Sequence, residues 1–211
     1  MKVSIMQPNI FMWGGLLKSI IDSDLHIVLD IVKSSKNSTY NRNKIAGNKE
    51  PTWLTIPFVD FKRSKKIMYQ KLDTSYETRE KIINIFKSRY SNANYYQNGL
   101  RLLELTIFSE KSETELIYIY SNFIESLRVL GMPLCDIKFA SDIIEVDKID
   151  QITNGIELVN LVLKKVKATK YLASENTANY CSPKDFHVQE VHIQKFTAHK
   201  YRQCNSSGLF F

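Results

Sequence analysis

The sequence predicts an α/β protein with a parallel-stranded βαβ core at its N-terminus and a mainly helical second half. Three observations carry that expectation. Two short apolar runs, residues 2–6 and 25–29, flank a stretch with helical spacing at 11–23. A strand–helix–strand connection of this kind sets its two strands parallel. From Tyr76 onward the period changes, and apolar stripes recur three and four residues apart.

In order along the chain, residues 2–6 form a buried first strand stopped by Gln7-Pro8. Leu16, Leu17, Ile20 and Ile21 supply the apolar face of the first helix, with Gly14-Gly15 near its start. The second run ends at Asp30. Residues 37–49 are polar, carry Gly47-Asn48 as turn chemistry, and read as a long loop. Residues 53–58 and 65–70 read as two further strands. Ile82, Ile83, Phe86 and Tyr90 form one amphipathic stripe, and Leu102, Leu105 and Phe108 another. Residues 115–130 are helical, ended by Gly131 with Pro133 beyond it. Residues 135–139 suit a strand, 155–168 a helix and 191–196 a late strand. With no repeat and no linker, residues 1–211 read as one α/β domain. Residues 1–72 bear the motifs, and 73–211 form the helical half with its late strand.

Composition bounds the class. Hydrophobic residues make up 44% and charged residues 24% of the 211, enough apolar content for a buried core. No apolar run approaches the roughly 20 residues of a membrane-spanning helix. The first ten residues read as no signal peptide. Cys135, Cys181 and Cys204 are odd in number and share no metal-ligand spacing, which suits reduced thiols and a cytoplasmic protein. The net charge of +7 is local: between residues 33 and 66 nine lysines and arginines face only Glu50 and Asp60, and the remaining chain is neutral. Concentrated positive charge attracts anions, whether phosphate, carboxylate or nucleic acid.

The chemistry-bearing residues lie mostly in the same quarter. Asp30 ends a predicted parallel strand, where a side chain reaches the crevice at the carboxyl edge of the sheet as base, metal ligand or hydroxyl acceptor; a turn cap or a lysine partner is the structural alternative. Asn41-Arg42-Asn43 sets a guanidinium fork between two amides, suited to a phosphate or carboxylate and to sugar hydroxyls, or to Asx-turns. Gly14-Gly15 at a helix start lets an anion approach the backbone, although the pattern is neither G-x-G-x-x-G nor a Walker loop. Trp13 and Trp53 suit stacking on a ligand ring or a place in the core. His26, His187, His192 and His199 show no zinc spacing, and His26, inside an apolar strand, reads as a core residue.

With those residues in view, the chain resembles the WbqC-like protein family. The likeness rests on Gln7-Pro8, Trp13-x-Gly15, Asp24, Leu29-Asp30, Lys36, Asn41-Arg42-Asn43-Lys44-Ile45 and Trp53-Leu54-Thr55-Ile56-Pro57. Leu130-Gly131, Ser141 and Tyr171-Leu172 follow in the family's order. Two stretches depart from the pattern: Ala173-Ser174-Glu175-Asn176 lacks the glycine expected after the Tyr-Leu pair, and residues 204–211 lack the family's characteristic tail.

The resemblance implies a transferase that adds an acyl or aminoacyl, glycine-like group to an amino sugar or sugar nucleotide in O-antigen or other surface polysaccharide synthesis. Asp30 would be the base. Gln7, Trp13, Gly15, Lys36, Asn41, Arg42, Asn43 and Trp53 would bind substrate, with an acyl or aminoacyl donor as co-substrate and no metal. The chain is compatible with a homo-oligomer.

Two other readings stay open. The strand, the Pro-x-x-x-x-Trp-x-Gly turn and the helix echo the arrangement of the HIGH-motif nucleotidyltransferases, although that motif's histidines are absent. A basic nucleic-acid-binding module would explain the charge, but no helix-turn-helix, RRM or zinc-finger pattern accompanies it.

Overall fold

Each strand's place in the sheet follows from what its residues can bury. The computed structural model of the protein describes residues 1–35, 39–45, 50–107, 115–145, 149, 152, 154–179 and 181–196. Along the chain the elements are β1 (Lys2–Met6), α1 (Gly14–Ile21), β2 (Leu25–Val28), β3 (Arg42–Ile45), β4 (Thr52–Thr55), α2 (Tyr76–Tyr90), α3 (Tyr96–Ile107), α4 (Leu116–Val129), β5 (Asp136–Phe139), α5 (Gly155–Lys165), β6 (Lys170–Ser174) and β7 (Glu190–Gln194). The chain divides into two compact units: Met1–Gln7, Gly15–Val32 and residues 134–196 belong to the first, and Pro8–Gly14 and Lys33–Pro133 to the second. The sequence reading drew its internal division after residue 72 instead.

The first unit is built on a five-stranded sheet in the order β5-β2-β1-β6-β7, parallel throughout. Val3, Ile5, Leu25, Ile27 and Val28 are buried, the near-continuous apolar run that a strand covered on both faces requires. The edge strands instead expose alternate polar residues, Asp136 and Lys138 on β5, Glu190 and His192 on β7. From β1 the chain steps outward to β2 and β5, then returns through α5 to β6 on the other side of β1. The winding direction therefore reverses between β1 and β6.

Three of the five strands come from residues after 134, so the expected helical half returns to the sheet. The strand of this sheet that the sequence reading lacks is β6. Only Tyr171, Leu172 and Ala173 are buried in it, too short a run to announce a strand. Its pairing with β1 on one side and β7 on the other makes it one.

A small polar cluster lies between β1, β2 and α1. Ser4 Oγ is 2.7 Å from His26 Nδ1, and both Ser4 and Ser23 donate to the carbonyl of Ser19, at 3.3 and 2.7 Å. His26 is the core residue expected, and burial pushes its pKa down to about 3. The helix expected over 11–23 is shorter, since Phe11 and Met12 are buried in the loop before it.

Lys167, just past α5, sits at φ 55°. Lys167 N and Ala168 N donate to the carbonyls of Lys164 and Leu163, the double bond of a Schellman cap, and this turns the chain sharply into β6.

The second unit holds α2, α3, α4 and a two-stranded antiparallel ribbon, β3–β4. The stripe Ile82, Ile83, Phe86, Tyr90 is buried as its spacing requires. Leu102 of the second stripe is buried, Leu105 is exposed and Phe108 lies outside the described residues. Helix α4 ends in its own Schellman cap at Gly131, φ 83°, with Met132 N bonded to the Leu127 carbonyl.

Two expectations are corrected here. Within the expected loop 37–49, Arg42–Ile45 pairs with Thr52–Thr55, because Ile45 and Leu54 bury one face of the ribbon. The expected strand 65–70 is a 3-10 turn over Ile67–Tyr69. Fully buried Gln70, just after it, uses its amide to tie neighbouring segments together rather than to extend a ladder.

Candidate functional site

In the first unit, register brings Asp30 to its partner. Val28 of β2 stands opposite Phe139 of β5 in the parallel pairing. Two residues beyond each, at the carboxyl edge, Asp30 meets Ser141 in the 3-10 turn Ala140–Asp142. Asp30 Oδ2 accepts from Ser141 Oγ at 2.6 Å and Oδ1 from Ser141 N at 3.1 Å. Asp30 is fully buried, and desolvation raises its pKa. The two Ser141 bonds oppose that shift, while the charge of Asp142 adds to it.

A carboxylate with raised proton affinity accepts a proton more readily than an ordinary one, as a base must. Because it is buried, a molecule outside meets the half-exposed Ser141 first. The pair therefore either ties two strand ends together or passes a proton through the serine hydroxyl. Gln7 is exposed at the end of β1 and Gly15 is buried in the first turn of α1.

In the second unit, cross-strand pairing puts Arg42, Lys44, Trp53 and Thr55 on one face of the ribbon. Trp53 is 45% exposed. The Arg42 guanidinium carbon lies 4.8 Å and Lys44 Nζ 5.7 Å from the centre of its indole ring. This is a cation–aromatic–cation surface suited to an anion carrying a flat or apolar part.

The two asparagines of the triplet hold the ribbon instead. Asn41 Nδ2 donates to the Ile56 carbonyl at 2.6 Å and Ile56 N to the Asn41 carbonyl at 2.9 Å. Asn43 Nδ2 donates to the Phe11 carbonyl at 2.8 Å, and its Oδ1 accepts from Lys44 N. Trp13 is half-buried. Lys36 lies outside the described residues.

Sequence reasoning missed Asn9. It is buried, its amide donates to Thr39 Oγ1 at 3.1 Å, and Ile10 N next to it bonds to the Tyr40 carbonyl. Its Oδ1 has no partner among the described residues. Ser141 was visible only through the family pattern, since a serine gives no periodic signal of its own.

Among the described residues no three His, Cys, Asp or Glu side chains gather as a metal site would need. A cleft of about 400 Å³ lies along α1, β6 and β7. Lys18 and Gln194 hold Asp22 at its wall, at 2.6 and 2.9 Å, and no expected site residue lines it.

An all-parallel sheet whose winding reverses beside its first strand defines the first unit as a doubly wound α/β fold, with ligand chemistry expected at the carboxyl edge. The chain belongs to the WbqC-like protein family, whose profile matches residues 7–210. The match therefore runs through the stretch where no family-type tail was legible. No curated protein and no solved structure matches the chain significantly. No helix among the described residues is long and apolar enough to cross a membrane.

Proposed function

We propose that the chain is a transferase adding an acyl or aminoacyl, glycine-like group to an amino sugar or sugar nucleotide in surface polysaccharide synthesis. The observation that carries the proposal is the buried Asp30 carboxylate bonded to Ser141 at the sheet's carboxyl edge. Family membership supports the polysaccharide setting.

In this reading the amine or hydroxyl of the acceptor attacks the acyl carbonyl of the donor. Its proton passes to Ser141 Oγ while the serine proton passes to Asp30 Oδ2. A new amide or ester bond forms as the donor's leaving group departs. On the ribbon of the second unit, Arg42 and Trp53 take the anionic and ring parts of a substrate, and Asn41 and Asn43 shape that face. Gln7, Trp13, Gly15 and Lys36 remain binding candidates through the family resemblance alone.

The test is transfer from acyl and aminoacyl donors to amino-sugar nucleotides, followed by mass spectrometry. The parent chain is expected to add the acyl mass. Asp30→Asn and Ser141→Ala are expected to lose about 10²–10⁴-fold in turnover with binding kept. Arg42→Ala is expected chiefly to raise the substrate concentration needed. Full activity of Asp30→Asn would remove the carboxylate from the mechanism, and no transfer with any donor would sink the reading.

A second reading, nucleotidyl transfer at the first strand–helix turn, draws on α1 starting with Gly14-Gly15 directly after that turn. Its mark is ATP-dependent release of pyrophosphate. A nucleic-acid-binding module is disfavoured by the lack of any recognised nucleic-acid-binding sequence pattern.

A further inference from the structure

The largest concentration of positive charge in the second unit lies on a structured loop that the proposed chemistry does not use. Residues 57–59 and 71–73 run antiparallel: Phe58 pairs with Leu72, Val59 N donates to the Lys71 carbonyl at 3.0 Å, and Asp73 N to the Pro57 carbonyl at 2.8 Å. The intervening tip folds back on residues 33–34. Lys33 pairs with Lys66, and Ser34 N donates to the Lys65 carbonyl at 3.0 Å.

Gln70 fastens the three segments. Its Nε2 donates to Ser34 Oγ at 2.8 Å and to the Lys62 carbonyl at 2.7 Å. Ile67 and Leu72 anchor the inner side with no exposure at all.

The outer side is basic and apolar together. Lys33, Lys62, Arg63 and Lys71 are exposed, with Lys65 and Lys66 half-exposed beside them. Asp60 is the one acidic residue between positions 57 and 72, and it already serves both Lys62 at 3.1 Å and Lys65 at 3.5 Å. Val59, directly across from Lys71, is 63% exposed, and Tyr69 is 53% exposed. Phe58 and Phe61, half-exposed, lie with ring centres 5.1 Å apart and planes tilted by 43°. The fold also sets Lys33 opposite Lys66.

We propose that this loop docks the second unit on the surface of an anionic lipid bilayer, with Val59 and Tyr69 entering the headgroup boundary and the cations holding lipid phosphates. Long basic side chains suit that boundary because their stems lie in apolar surroundings while their charges stay wet. A nucleic acid backbone would satisfy the same cations. It gains nothing from an exposed valine, however, and finds a single well-exposed ring here where stacking platforms use several. The inference is independent of the transferase reading.

The experiment is flotation of the full chain with phosphatidylcholine vesicles, with and without phosphatidylglycerol. Binding is expected only with the anionic lipid. Lys62→Gln with Arg63→Gln is expected to weaken it about thirtyfold, since each cation near the surface contributes on the order of 1 kcal/mol. Val59→Asp is expected to weaken it as well. All three positions are exposed, so melting temperatures stay at the parent value. No binding to anionic vesicles at low salt overturns the proposal. So does binding that the double variant leaves unchanged, or duplex DNA binding lost in that variant where vesicles never bound.

Discussion

Asp30 and Arg42 sit twelve residues apart in the sequence, both in the most motif-dense quarter of the chain, yet their surroundings differ completely. Asp30 is desolvated and held by two bonds from a single serine. Arg42 is half-exposed and lies over a solvent-facing tryptophan. Burial multiplies every electrostatic effect on the first and dilutes it on the second, because water screens an exposed charge. In the proposed transfer, the first environment would serve proton transfer and the second substrate recognition.

The sharpest way to probe the buried side is acid. His26 has its pKa lowered from 6.5 to about 3, so between those values the unfolded chain binds a proton that the native chain refuses. Stability then falls as pH drops from about 6.5, by up to about 1.4 kcal/mol per pH unit. Urea titrations from neutral to acidic pH are expected to show that slope, and His26→Asn to flatten it. An unchanged slope in the variant would move the acid sensitivity elsewhere.

Asp30 behaves oppositely. Its raised pKa means that stability is lost as pH rises through the folded value, the carboxylate being costly to bury once charged. Asp30→Asn is therefore expected to melt no lower than the parent at pH 7, even though turnover is lost. A variant that is both inactive and several degrees less stable would make the Asp30–Ser141 pair a structural tie.

The exposed side gives smaller numbers. Arg42→Ala is expected to cost about 0.5–1 kcal/mol of stability at most, the size of an exposed cation–π contact. A much larger loss by denaturant titration would show that the guanidinium holds the ribbon together and would erase the contrast with Asp30. Of similar size and opposite sign, Lys167→Gly is expected to gain about 0.5–1 kcal/mol, since Lys167 occupies the left-handed C′ position that glycine adopts freely. A loss of stability there would mean that the lysine side chain offsets the backbone strain.

Much of the fold was legible. The runs that became β1 and β2 are apolar enough to signal buried strands, and α2 to α5 follow from stripes and stops such as Gly131-Met132-Pro133. The misses share one cause. Strand β6 has three buried residues, β3 reads Arg-Asn-Lys-Ile, and the 3-10 turn before Gln70 looks like an extended apolar run. Each is decided by pairing or packing with another segment, to which local periodicity is blind.

The candidate site divides in the same way. Asp30 was visible as the polar residue that stops an apolar strand, and Arg42 as a cation within a concentration of charge. That Asn41 and Asn43 serve the backbone, and that Ser141 stands in front of Asp30, depended on pairing across long loops.

By itself the sequence determined the α/β class, strands β1 and β2, the helices and the locality of the positive charge, because burial and helical period are properties of neighbouring residues. The tertiary structure alone decided the strand order, the division into two units and the Asp30–Ser141 bond. Those depend on register between segments more than a hundred residues apart, and a one-residue slip in that register would turn each side chain to the opposite face.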